Sequence, residues 1–84
     1  MEIRLIVTGR MYHLAAELPE QFDLPEGATL RDALEWVQSA DEVELPGSCL
    51  VAVNGEHCGT IATYTNRGLA AGDELALIAP VAGG

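Results

Sequence analysis

The sequence predicts an α+β domain in which one main helix packs across one face of a small mixed β-sheet. Apolar runs with strand-like alternation lie near both ends of the chain, and one clearly amphipathic helix lies between them. An Asn-Gly pair at residues 54 and 55, between two further strand-like runs, is the strongest short-range signal of a β-hairpin. A chain of 84 residues supports one hydrophobic core, so we expect a single domain, 1–84.

Alternation of apolar and polar residues predicts a strand near each end of the sequence. The first strand is predicted over residues 2–8 and the last over 73–80. A short strand is expected within residues 20–27, closed by a turn at Pro25 and Gly27. Residues 10–18 are ambiguous and are interpreted as a short helical turn stopped by Pro19. The acidic stretch 41–47 is predicted to be a surface loop.

The helix is predicted over residues 29–40, where both an N-terminal cap and an apolar stripe are present. Thr29 and Asp32 have the spacing of a capping box, in which each side chain binds a free amide of the first turn. Trp36 is expected to cover the edge of the stripe rather than its centre. The stripe itself has helical i, i+3, i+4, i+7 spacing: Leu30, Ala33, Leu34 and Val37.

The apolar side chains of the first and last strands are predicted to point to two different faces of the sheet. If these strands lie side by side, one set points toward the helix: Ile3, Leu5, Val7, Leu75 and Leu77. The other set, on the opposite face, has nothing in this chain to cover it: Ile6, Ala76 and Ile78. Because contiguous exposed apolar surface often marks a docking site, we expect these three residues to bind a partner protein.

The charge balance excludes several classes of partner. Thirteen acidic residues against four arginines and no lysine give a formal net charge of −9. Such a surface repels nucleic acid and anionic membranes, and it favours a protein partner with a basic docking surface. Without a signal peptide or an apolar run long enough to cross a bilayer, the protein is expected in the cytoplasm.

The side chains that could carry chemistry form no convincing catalytic or metal site. Cys49, His57, Cys58 and the distant His13 match no zinc-ligand spacing. Around the predicted turn Cys58 faces Val51, so Cys49 is a diagonal neighbour, about 7–8 Å away and too far for an unstrained disulfide. No nucleophile or phosphate-loop motif is present. We therefore expect no bound metal or cofactor and no catalysis by this chain alone.

The C-terminal segment 80–84 is the most informative feature. It ends in Gly83 and Gly84, which have no side chains and can enter a channel too narrow for other residues. Pro80 lacks an amide hydrogen, so it ends sheet pairing and directs a flexible tail away from the domain. The tail resembles a tether with a reactive carboxylate, which needs activation by a partner that binds ATP before sulfide or a thiol can attack it.

Three segments resemble the ubiquitin-like β-grasp sulfur carriers, in particular the small subunits of molybdopterin synthases. They are "PEGATLRDAL" (25–34), "LVAVNGE" (50–56) and above all "GDELALIAPVAGG" (72–84). The resemblance implies a β-grasp fold and adenylation of Gly84 by a ubiquitin-activating-like enzyme that uses ATP. It then implies a thiocarboxylate on Gly84 that supplies sulfur to precursor Z, a cyclic pyranopterin monophosphate, in the large synthase subunit.

The resemblance also implies roles for individual residues. Gly84 would hold the sulfur, and Gly83 would let the tail enter the partner. Ile6 and Ile78 would belong to the docking face, whereas three residues before the glycines would line the path into the partner: Pro80, Val81 and Ala82.

Three alternatives stay open at this point. The chain could carry sulfur for thiamine or another pathway, since such carriers share the same C-terminal end. It could also be a ubiquitin-like modifier whose Gly84 forms isopeptides with protein lysines, or a simple interaction module in which the two glycines are incidental.

Overall fold

The computed structural model describes residues 1–9, 20–40, 45 and 47–79. Within these, the chain forms five strands and one helix. In chain order they are β1 (Glu2–Gly9), β2 (Gln21–Asp23), α1 (Leu30–Ala40), β3 (Leu50–Val53), β4 (Glu56–Thr60) and β5 (Glu74–Ala79). The turn predicted for residues 10–18, most of the acidic loop and the tail 80–84 lie outside the described residues.

The five strands form one mixed sheet in the order β2-β1-β5-β3-β4. The first and last strands of the chain are central neighbours and run parallel, whereas the other three pairings are antiparallel. A parallel pair needs a long crossover connection, and here α1 and the hairpin supply it. The prediction that the two end strands lie side by side, with a helix on one face, is therefore confirmed.

The core lies between α1 and the inner face of the sheet. The predicted helical stripe is buried throughout, and so are four of the five strand residues predicted to face it; Val7, the fifth, is half-buried against the same core. Val51 and Val53 on β3 are also fully buried. Trp36 covers the edge of the core, as predicted, and its ring stacks on Phe22 with centroids 4.2 Å apart.

The N-terminus of α1 is capped from two directions. Thr29 N donates to Asp32 Oδ2 (2.8 Å) and Asp32 N donates to Thr29 Oγ1 (3.4 Å), which confirms the capping box. Arg31 N donates to Asn66 Oδ1 (2.9 Å), and Leu30 N donates to the carbonyl of Arg67 (2.8 Å). The connection before β5 therefore satisfies amides that the helix cannot satisfy itself.

The β3–β4 hairpin turns at Asn54 and Gly55, whose φ angles of 53° and 81° match the predicted type I′ turn. The ladder shifts between Val51 and Ala52, however, so Gly59 rather than Cys58 lies opposite Val51. The pairing predicted for Cys58 is wrong because this bulge inserts an extra residue into β4. Both cysteines are free thiols. No described helix is long and apolar enough to cross a membrane.

Candidate functional site

The sheet surface opposite α1 is the candidate docking surface. We call it the outer face, and it comprises the outward residues of the three central strands: Arg4, Ile6 and Thr8 on β1, Glu74, Ala76 and Ile78 on β5, and Leu50 and Ala52 on β3. Ile6 is the one large hydrophobic side chain classed as exposed among the described residues, at 39%. Arg4 and Thr8 are also exposed, whereas Ala52 is buried.

The register of the sheet brings the three predicted docking residues of this face together. Ile6 lies opposite Ala76, and Ile78 is two residues further along β5 and therefore on the same face. Ala76 and Ile78 are half-buried, whereas Ile6 is exposed.

Two further apolar residues of this face, Leu50 and Ala52, were not identified from the sequence. They lie opposite Ile78 and Ala76 on the neighbouring strand β3. Their alternation with the buried residues Val51 and Val53 was a usable signal. The sequence could not, however, show that β3 lies beside β5, because that pairing joins segments more than twenty residues apart. The apolar surface is thus larger than the three predicted residues.

The direction of β5 determines where the C-terminal segment begins. β5 runs parallel to β1 from Glu74 to Ala79, so the chain leaves the sheet at the end where β1 also finishes. Ile78 of the outer face is the last residue but one of β5 and so lies next to this exit. The predicted tail residues themselves lie outside the described residues: Pro80, Val81, Ala82, Gly83 and Gly84.

The start of β5 is held by a network between Asn54 and Asp73. Asn54 Nδ2 donates to Asp73 Oδ1 (2.9 Å), and Asn54 Oδ1 accepts from Glu74 N (2.9 Å). Ala70 N donates to the second carboxylate oxygen of Asp73 (2.8 Å). The Asn54 side chain, and next the Ala70 amide, lower the pKa of Asp73 below its ordinary value. These hydrogen bonds therefore hold the start of β5 against the β3–β4 turn.

The cysteine and histidine side chains form no reactive group within the described residues. Burial raises the pKa of the Cys49 thiol, which disfavours the nucleophilic thiolate. No group of three or more His, Cys, Asp or Glu side chains in the described ranges is placed to hold a metal ion. His13 lies outside those ranges. The described surface thus offers an apolar sheet face and a strand whose start is held by hydrogen bonds.

Comparison with known proteins places these features in context. The model of the ThiS family matches residues 5–84. Comparison with curated proteins gives no significant match. Two structures of SAMP1, small archaeal modifier protein 1, from Haloferax volcanii are 27% and 26% identical, with TM-scores of 0.73 and 0.68. They cover 100% and 95% of this chain, and this chain covers 100% and 98% of theirs.

Molybdopterin-converting factors are also similar. A Pyrococcus furiosus protein assigned as molybdopterin converting factor subunit 1 is 26% identical, with a TM-score of 0.72 over 96% of this chain and 99% of its own. A complex of subunits 1 and 2 of the Helicobacter pylori factor contains a chain that is 24% identical, with full mutual coverage and a TM-score of 0.60. The last similarity shows the fold alone. Together these structures confirm the predicted ubiquitin-like β-grasp fold.

Proposed function

The chain belongs to the ThiS family, and from that premise we propose that it is a sulfur carrier whose Gly84 becomes a thiocarboxylate for molybdopterin biosynthesis. The observation that carries the proposal is the family match, which spans residues 5–84 and so includes the terminal Gly83-Gly84 pair. The similarity to molybdopterin converting factor subunit 1 from Pyrococcus furiosus supports this pathway over other sulfur pathways.

The terminal carboxylate supplies the reactive group. A carboxylate resists nucleophilic attack because its oxygen is a poor leaving group. In the proposed first step, an oxygen of Gly84 attacks the α-phosphate of ATP in an adenylating enzyme, which releases pyrophosphate and forms an acyl adenylate. Hydrosulfide then attacks the carbonyl carbon, AMP leaves, and the carbon keeps the sulfur. The described residues offer no group for this activation, so the partner supplies the ATP site.

The acceptor step takes place in a second partner. We propose that the tail enters the large subunit of a molybdopterin synthase, where the thiocarboxylate sulfur attacks an electrophilic carbon of precursor Z, a carbon–oxygen bond at that carbon breaks, and its electron pair goes to the oxygen. Water then releases the carrier with its carboxylate restored. Gly83 and Gly84 suit a narrow channel because neither has a Cβ. Pro80, Val81 and Ala82 would line the path that leads to it.

In this proposal the folded body supplies the docking surface for the partners, and the tail supplies the reactive group. The outer face lies beside the end of β5, so a partner bound there meets the tail directly. Ile6, Ala76 and Ile78 would make the predicted contacts, and Leu50 and Ala52 extend them. Hydrogen bonds from Asn54 hold the other end of the same strand.

Reconstitution tests the proposal. Wild-type protein is incubated with the adenylating enzyme, ATP and a sulfur donor, and intact mass is then measured. A gain equal to the difference between a sulfur and an oxygen atom is expected, and it should disappear when ATP is omitted. The matched control carries one extra alanine after Gly84, which leaves the body unchanged but removes the Gly84 carboxylate. Equal sulfur loading of the extended chain would overturn the proposal.

A protein modifier is the second candidate, and the similarity to small archaeal modifier protein 1 favours it. It shares the acyl adenylate but differs in the nucleophile, which would be a lysine amine of a target protein. High-mass conjugates that disappear when Gly84 is deleted would support this role, whereas a sulfur-for-oxygen mass gain without conjugates supports the carrier. Because this chain contains no lysine, side-chain conjugates between its own copies are not expected.

A further inference from the structure

The Asn54-Gly55 pair at the tip of the β3–β4 hairpin combines a reactive side-chain amide with an unhindered neighbour. Both residues are exposed, and apart from its chain neighbours no atom lies within 4 Å of the place where a Cβ on Gly55 would lie. The backbone nitrogen that follows an asparagine can attack the side-chain carbonyl carbon, and glycine hinders this attack least because it has no side chain. Asn66, the other asparagine of the chain, is followed by Arg67, whose side chain hinders the same attack.

The reaction open to such a pair is deamidation, and it consumes only water. The Gly55 nitrogen loses its proton and bonds to Asn54 Cγ, the bond from Cγ to Nδ2 breaks, and ammonia leaves with that proton. The product is a cyclic imide, which water then opens. Cleavage of the bond between the nitrogen and Cγ gives aspartate. Cleavage of the bond between the nitrogen and the main-chain carbonyl carbon gives isoaspartate, in which the backbone runs through the former side chain.

The fold holds both ends of the Asn54 amide in hydrogen bonds. Asn54 Nδ2 donates to Asp73 Oδ1 and Asn54 Oδ1 accepts from Glu74 N, each at 2.9 Å, while Asn54 N donates to the Glu74 carbonyl at 2.8 Å. Closing the ring joins Cγ to the Gly55 nitrogen and expels Nδ2, so the amide must leave both side-chain partners. Each such bond shifts an equilibrium by about fivefold, so the folded state should lower the reactive population by about tenfold or more.

We propose that Asn54 is a site of spontaneous deamidation, that its hydrogen bonds to Asp73 and Glu74 restrain the reaction in the folded protein, and that the product releases the start of β5. The rate is then set by how often the β3–β4 turn separates locally from β5. The inference goes beyond the proposed function and does not depend on it, because the reaction needs no partner protein.

The product disrupts the contact that restrained its formation. A carboxylate at position 54 places an oxygen where Nδ2 lies, 2.9 Å from Asp73 Oδ1, so a donor and an acceptor become two like charges. Arg67 offsets little of this repulsion, since its charge is the smallest of the causes that lower the pKa of Asp73 and its guanidinium already pairs with Glu56 at 3.5 Å. Isoaspartate also lengthens the backbone of a turn that fits two residues.

The rate of deamidation tests the restraint. Wild type, Asp73→Ala and Val37→Ala are incubated folded at mildly alkaline pH, beside wild type unfolded in urea, and peptide mapping separates asparagine, aspartate and isoaspartate at position 54. Asp73→Ala removes one partner of the amide and should react about fivefold faster than folded wild type. Val37→Ala is the control: it opens a cavity at a fully buried position and lowers stability without removing a partner of Asn54, so its rate should stay near that of wild type. Unfolded wild type should react fastest.

Three outcomes of that experiment would overturn the inference. Equal rates for folded and unfolded wild type would show that the fold does not restrain the reaction. An acceleration in Val37→Ala as large as that in Asp73→Ala would show that global unfolding, not the attachment to β5, sets the rate. Reaction at Asn66 as fast as at Asn54 would show that the Asn54-Gly55 pair is not the favoured site.

The melting temperature tests the effect of the product. Asn54→Asp should melt about 4–8 °C below wild type. The double variant Asn54→Asp/Asp73→Asn exchanges donor and acceptor: the new amide at position 73 can donate to the new carboxylate at position 54 and accept from Ala70 N, while that carboxylate still accepts from Glu74 N. It should therefore recover most of the loss. An Asn54→Asp variant that melts like wild type, or a double variant that recovers nothing, would overturn repulsion from Asp73 as the effect of the product.

Discussion

Asn54 in the β3–β4 turn and Asp73 at the start of β5 are joined by a hydrogen bond of 2.9 Å from Nδ2 to Oδ1. The same asparagine accepts from Glu74 N through its side chain and donates its own backbone N–H to the Glu74 carbonyl. One residue thus makes the tight turn and fixes the strand that leads to the tail.

Replacing Asn54 should destabilise the domain for two separable reasons. Asn54→Ala removes both side-chain hydrogen bonds and places alanine at φ 53°, so we expect a loss of about 2–3 kcal/mol in unfolding free energy. Asn54→Gly tolerates that φ and should lose only the hydrogen bonds, about 1–2 kcal/mol. Urea denaturation of both variants measures the difference. Equal unfolding free energies for the alanine and glycine variants would show that the positive φ at position 54 does not destabilise alanine relative to glycine.

Asp73 should make stability depend on pH in the acid range. Its pKa is lowered in the folded state by the Asn54 side chain and the Ala70 amide. The contribution is therefore present above the unfolded value of 3.8 and is lost as pH falls through the folded pKa. Asp73→Asn removes the titrating group. The stability gap between wild type and this variant should narrow as pH falls below about 4, and a constant gap would contradict the assignment.

The outer face should be needed for docking and not for folding. Ile6→Glu places a charge at the most exposed apolar residue of that face, so we expect about tenfold weaker binding to the adenylating enzyme, about 1.4 kcal/mol. Melting temperature should change little, because Ile6 lies outside the core. Thr65→Glu adds the same charge at an exposed position of the connection before β5 and serves as the control. Equal binding by the two variants would place the interface elsewhere.

Gly59 should resist substitution where Gly68 tolerates it. A Cβ at Gly59 would lie 2.5 Å from the carbonyl oxygen of Thr63 and 2.9 Å from Tyr64 Cα, at a φ of 124°. Gly59→Ala should therefore cost more than about 2 kcal/mol, since backbone atoms must move. At Gly68 no atom lies within 4 Å of the added Cβ, so Gly68→Ala should be within about 0.5 kcal/mol of wild type. Thermal unfolding measures both, and similar melting temperatures would contradict the packing at the bulge.

Local features were predictable from the sequence because their causes are local. The Thr29–Asp32 cap needs only three residues of separation, and the Asn54-Gly55 turn needs only two residues that accept positive φ. Strand alternation correctly placed Ile6, Ala76 and Ile78 on the outer face. The Gly83-Gly84 end and the segments before it indicated the family.

Only the tertiary structure decided which segments meet. It placed Leu50 and Ala52 beside β5, brought Asn66 to the start of α1, and joined Asn54 to Asp73 across 19 residues of sequence. It also shifted Cys58 out of its predicted register through the bulge. These contacts depend on how separate elements pack around a shared core, and the free energy of that packing belongs to no single stretch of sequence. The sequence by itself determined the elements and the C-terminal Gly83-Gly84 pair, and packing determined which strands form the outer face.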